Sequence, residues 1–97
     1  MFNLNRYITR GVNAEIPLEI QAYLYMLIDN LKTTDTPLDY LQVFKLRAEG
    51  GLQIIEHFQE EPPYSNTHSI VVPEPVNLKV YVIDDIEYST MLLPEER

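Results

Sequence analysis

His57 and His68 are the two histidines of this chain. With Glu56, Glu60, Glu61, Asp84 and Asp85 they are the side chains best able to bind a divalent cation or move a proton. Imidazole and carboxylate together make nitrogen–oxygen metal sites and acid–base pairs. The spacing supports neither. There is no His-Glu-x-x-His run and no calcium-binding loop. His57 alternates with apolar residues of an extended segment, which places it on the solvent side of a sheet. Asp84-Asp85 beside Glu87 resembles a carboxylate cluster for acid–base work or a cation, but adjacent acids at a chain reversal ordinarily face water.

Nucleophiles fare no better. Ser65, Ser69 and Ser89 lie outside any Gly-x-Ser-x-Gly elbow. Ser69 and its neighbour His68 would point to opposite faces of a strand. Gly50-Gly51 reads as a turn, and three glycines in all leave no phosphate cradle. The chain has no cysteine, which excludes disulfides and thiolate metal centres. No catalytic residue, metal ligand or cofactor is therefore expected. The expected role is binding, and the protein is expected to be cytoplasmic, since no apolar run suits a signal peptide or a membrane helix.

The 97 residues have room for a single domain. The net charge of -8 is unevenly spread. Residues 1–47 hold five basic and five acidic groups, whereas residues 48–97 hold ten carboxylates against Lys79 and Arg97. Phosphate backbones are repelled by such a surface, so direct nucleic-acid binding is not expected.

The elements that must position these groups are readable from periodicity. A short strand is expected from Arg6 to Val12, ended by Gly11. Residues 16–32 predict a helix: Ile20, Leu24, Leu27 and Leu31 recur at helical spacing beside Tyr23 and Ile28, and Pro17 suits a first turn. Asp39–Arg47 switches to a two-residue period, with Tyr40, Phe44 and Leu46 on one side and Leu41 and Val43 on the other. Gly50-Gly51 reverses the chain into a partner strand, where Leu52, Ile54 and Phe58 alternate against Gln53, His57 and Gln59. Apolar Ile55 breaks that alternation, so both faces of this strand are expected to be covered. Residues 61–66 read as a loop, His68–Val72 as a short strand, Val76–Ile83 as a strong one, and Tyr88–Leu93 as its return. The fold class is α+β: one amphipathic helix on a mainly antiparallel sheet of about five strands, in the order β-α-β-β-β-β.

Two surfaces emerge as candidate protein-binding sites. One is the back of the helix, where Leu18, Ala22, Tyr25 and Met26 are more apolar than a solvated helix face needs to be. The other is the acidic group Asp84, Asp85 and Glu87, which would attract a basic partner. Arg6 and Arg10 are expected to share one face of the first strand. They would pair with carboxylates of the second half or form an anion site.

Several short motifs point further. They are Arg6-Tyr7 with Thr9-Arg10-Gly11, Ile16-Pro17, Asp39-Tyr40-Leu41-Gln42-Val43-Phe44, and His57 with Gln59-Glu60 and Pro62. The last are Val82-Ile83-Asp84-Asp85 and Tyr88-Ser89-Thr90-Met91-Leu92-Leu93-Pro94-Glu95-Glu96. Together, nearly end to end, they resemble an uncharacterised family of roughly hundred-residue proteins from Gram-positive bacteria and their phages. The resemblance implies a bacterial cytoplasmic protein and no reaction. The leading expectation is a small non-enzymatic protein-interaction module, with a protein partner or a homodimer. The alternatives are an acidic inhibitor or nucleic-acid mimic, and a small enzyme or metal-binding protein built on Asp84, Asp85 and His57.

Overall fold

The computed structural model describes Met1, Phe2 and residues 5–97. Strand β1 (Arg6–Ile8) leads into a short helix α1 (Arg10–Glu15), then the main helix α2 (Leu18–Lys32). Five strands follow: β2 (Leu41–Glu49), β3 (Leu52–Gln59), β4 (Tyr64–Ile70), β5 (Leu78–Asp84) and β6 (Ser89–Leu92), before a 3-10 turn at Pro94–Glu96. The six strands form one sheet in the order β1-β6-β5-β2-β3-β4. All pairings are antiparallel except β1 with β6. The architecture is thus α+β, with a mixed, mostly antiparallel sheet.

Local chemistry explains the departures from expectation. The segment after β1 is helical where a strand was expected to run on to Val12. Thr9 caps it, its Oγ1 accepting from the Val12 amide at 3.2 Å. Gly11 lies inside α1 rather than ending a strand, for a steric reason. A Cβ there would come within 2.6 Å of the Glu96 carboxylate. Pro17 sits at the N-cap of α2, its carbonyl accepting from Ile20 and Gln21. Strand β4 starts at Tyr64, within the segment read as a loop; it is a polar edge strand and carries no apolar alternation. Gly50 and Gly51, with φ of 57° and 80°, make the β2–β3 turn as expected.

The core lies between α2 and one face of the sheet. Ile20, Leu24, Leu27 and Ile28 pack with Phe44, Leu46, Ile55, Val80, Val82 and Met91. Register places all the sheet members of this cluster on one side: Phe44 opposes Val80, Leu46 opposes Ile55, and Val82 opposes Met91. Val12 from α1, Ile16 and Phe2 close the cluster.

Candidate functional site

Three groups of polar or exposed residues could do work, and each is fixed by the fold in a different way. The first is a clamp on the N-terminal segment. Phe2 is buried in the core. Its amide donates to Asp84 Oδ1 at 2.9 Å, and its carbonyl accepts from Arg6 Nη2 at 2.7 Å and Lys32 Nζ at 3.1 Å. Arg6 also forms a two-pronged ion pair with Asp29 and stacks 4.6 Å above the Tyr25 ring. The hydrogen bond from Arg6 holds the Asp29 carboxyl below its ordinary value. Burial pushes the Tyr25 hydroxyl up, opposed by a bond to Ser89 Oγ at 3.5 Å.

These contacts correct four expectations. Tyr25 is buried, not on an exposed helix back, because Arg6 and β1 cover that side. Asp84 is buried too, and spends its carboxylate on the Phe2 and Ile86 amides. Arg6 pairs with Asp29 of the first half rather than with an acid of the second. Arg10 is exposed at the start of α1 and shares no strand face with Arg6. The remaining candidates are at the surface: Leu18, Ala22 and Met26 on α2, and Asp85 and Glu87 in the β5–β6 turn.

The second group is a buried polar network beneath the core. His57 is buried, with its ring stacked on Phe44 at 4.4 Å. Its Nε2 lies 2.7 Å from Gln42 Oε1. The Gln42 amide donates onward to Gln59 Oε1 at 2.7 Å and to the Asp39 carbonyl. Gln59 in turn holds the carbonyls of Pro37 and Pro62 at 2.9 Å each. Because Gln42 spends its NH₂ on those partners, its oxygen is left to accept, so His57 carries its proton on Nε2. Burial, reinforced by the charge of His68, pushes the His57 imidazole down to about 4.

His57 was therefore expected on the wrong side of β3. The polar residues Gln53, His57 and Gln59 face the helix, and the apolar residues Leu52, Ile54 and Phe58 face away. Asp84 lies two strands from His57, and the fold does not bring the two together. Among the described residues, no three of the histidines and acids are gathered to hold a metal ion.

The third group is the sheet face opposite the helices, which pattern reading missed. Leu92, Tyr81, Val43, Phe58 and Ser65 form one continuous row across β6, β5, β2, β3 and β4. Thr90, Ile83 and Leu41 make the next row on one side, ending at Tyr7. Lys79, Lys45, Glu56 and Thr67 make the next row on the other. None of these apolar residues belongs to the core cluster, although Val43 and Leu92 are themselves buried. Phe58, Tyr81, Ile83, Leu41 and Ile54 are half-buried, and Tyr7 is 55% exposed against Tyr88. A shallow groove lies at one end, lined by Lys45, Glu56, Phe58, Pro63 and Ser65. The sequence signal was present in the apolar side of β3, but its direction was read in reverse.

Comparison with known proteins bears on what these groups share. A family model described as "Staphylococcal protein of unknown function (DUF960)" matches residues 5–96. The chain belongs to the DUF960 family. Its fold is similar to the crystal structure of a protein of unknown function from Enterococcus faecalis. The TM-score is 0.79 at 28% identity, over 96% of this chain and 90% of that one. No curated protein matches it in sequence. Neither finding names a reaction.

The DUF960 resemblance motifs acquire a physical meaning once folded. They meet in pairs. Glu96 reaches Thr9 Oγ1 at 2.6 Å and the Gly11 amide at 3.0 Å, joining the last motif to the first. Gln42 joins His57 and Gln59. Asp84 holds the segment that Arg6 also grips. These contacts build and close the covered side of the sheet. Among the described residues, no helix is long and apolar enough to cross a membrane.

Proposed function

We propose that this DUF960 domain is a non-enzymatic, cytoplasmic protein-interaction module that docks its partner on the open face of the sheet. The observation that carries the reading is the row Leu92–Tyr81–Val43–Phe58, apolar across four adjacent strands and outside the core cluster, in which Tyr81 and Phe58 stand partly in water while Val43 and Leu92 are buried. Four strands span roughly 15 Å at ordinary strand spacing, wide enough for an extended segment or a helix. Exposed apolar patches with aromatic residues are characteristic of docking sites, whereas a water-facing sheet surface is normally polar. The groups with catalytic chemistry support the non-enzymatic half of the reading. His57 is neutral, buried and hydrogen-bonded inside the core, and Asp84 is occupied by backbone amides.

A photo-crosslinking amino acid placed at Phe58, and separately at Leu18, tests the location in cells. Specific protein adducts are expected from position 58 and not from position 18. Adducts from position 18 alone would return the interaction to the helix surface, and adducts from neither would remove the proposal.

A further inference from the structure

The chemistry of the occupant can be read from where the cations lie, and this step rests on the open face being a docking surface. The chain has seven basic residues and fifteen carboxylates. Arg6 and Lys32 are engaged at Asp29 and the Phe2 carbonyl, Arg47 binds Glu49 and Glu56, and Arg10 is exposed at the start of α1. Arg47 and Glu56 lie on the open face as a pair, and Lys45, Lys79 and Arg97 gather there beside the rings. Lys45 lies 5.4 Å from the Phe58 ring centre, while Lys79 and Arg97 lie 5.5 and 5.8 Å from that of Tyr81. None of the three makes an ion pair among the described residues.

Two details sharpen the point. Lys45 and Lys79 stand directly opposite each other on adjacent strands, where like charges repel. Glu56 stands opposite Lys45 on its other side, yet its carboxylate is turned to Arg47 at 2.6 Å. In a chain of net charge -8, three of the four cations that make no ion pair among the described residues, all but Arg10, thus lie beside the partly exposed apolar row. A bound carboxylate between the two lysines would relieve their repulsion.

We infer that the open face takes an acidic, apolar segment of a partner protein. An acidic side chain sits between Lys45 and Lys79, and an apolar one sits against the partly exposed Phe58 and Tyr81. A single-stranded nucleic acid fits less well. The net charge of -8 repels a phosphate chain. A second copy offers suitable chemistry in its exposed Asp85-Ile86-Glu87 turn, but two bodies of charge -8 repel each other.

The test is selection of a displayed random-peptide library on the whole protein, followed by binding of the selected synthetic peptides. The peptides are expected to combine Leu, Ile or Phe with Asp or Glu. Their affinity should fall by about tenfold or more in the double variant Lys45→Gln, Lys79→Gln. It should weaken between about 50 and 300 mM salt, and be unchanged by Met26→Ser. Circular dichroism and thermal unfolding confirm that each variant is folded. Peptides lacking acids, insensitive to salt and to the lysine variant but lost in Phe58→Ser, would overturn the acidic chemistry and leave the docking face standing. Peptides insensitive to both variants would overturn both. Two further results would replace the occupant. One is labelled oligo-dT binding more tightly than any peptide and being lost in the lysine variant. The other is a concentration-dependent dimer in light scattering that the lysine variant abolishes.

Discussion

The two faces of this sheet invert the usual division of labour between buried and exposed residues. The covered face buries Gln42, Gln53, His57, Gln59 and Asp84 among its apolar groups. The open face leaves Phe58, Tyr81 and Ile83 partly in water. Burial of the polar set is tolerable because every member is satisfied: no buried side-chain nitrogen or oxygen among the described residues lacks a partner. Gln53 shows how. Its amide donates to the carbonyls of Arg47 and Val76, and its oxygen accepts from the Val76 amide at 2.7 Å. The covered face thus uses polar side chains to fix loops to the sheet. The difference teaches that hydrophobicity alone does not identify the core of this protein; hydrogen-bond completeness does.

The strongest way to break that comparison is to delete the same ring from each face. Phe44 and Phe58 lie on neighbouring strands but opposite faces. Phe44 is fully buried, and its ring also supports the stacked His57. Phe44→Ala is expected to cost about 3–5 kcal/mol, through lost transfer energy and a cavity. Phe58→Ala removes a half-buried ring and is expected to cost about 1 kcal/mol. Urea unfolding of both variants measures the contrast. Equal losses would mean that the open face is packed as tightly as the core.

A second prediction concerns pH and the buried network. His57 titrates at 6.5 when unfolded and near 4 when folded. Between those values the unfolded chain binds the extra proton, so stability falls as the pH drops from about 6.5 and levels off near 4, by about 3 kcal/mol at most. The Asp29 contribution lies lower, because its carboxyl is held below its ordinary value; it is lost only as the pH falls further. His57→Phe keeps a ring on Phe44 but leaves Gln42 Oε1 without its donor. The variant is expected to lose about 1–3 kcal/mol at neutral pH. Its stability should also depend less on pH between about 4 and 6.5. An unchanged slope there would place the pH dependence elsewhere.

Much of the fold was legible because the residues that signal it act locally. Ile20, Leu24, Leu27 and Leu31 need only a helix to share a face, and Gly50-Gly51 needs only a turn. What escaped depends on partners distant in the chain. Thr9 looks like a strand residue until it caps α1, and Gly11 looks like a strand terminator until Glu96 arrives. Tyr25 belongs to the helix back by angle alone, and only Arg6 from β1 covers it. His57 shows the general difficulty. A strand's alternation separates two faces without saying which is inward, and reversing that choice moves every side chain to the other side. Here Leu52, Ile54 and Phe58 pointed to the wrong layer, which also concealed the open face. The candidate site was legible only in its residue types, aromatic and basic, not in their assembly.

The subtlest test asks whether the open face is arranged for stability or for binding. If stability governed it, opposite charges would face each other where Lys45 and Lys79 now stand. Lys79→Glu supplies that arrangement. It exchanges a repulsive cross-strand pair for an attractive one, and gives up the contact of Lys79 with the Tyr81 ring. Cross-strand pairs of this kind are worth about 0.2–1 kcal/mol, and an exposed cation–π contact about 0.5–1 kcal/mol. The net change in stability is expected to be within about 0.5 kcal/mol of zero, while capture of acidic peptides is lost. Thermal unfolding and peptide titration on the same sample separate the two effects. A variant that unfolds much earlier and still binds would show that Lys79 serves the fold. A variant of unchanged stability that no longer binds would show that the lysine pair is kept for the partner. The opposing lysines would then be the surface counterpart of the buried glutamines: residues unfavourable in isolation, made favourable by the group they meet.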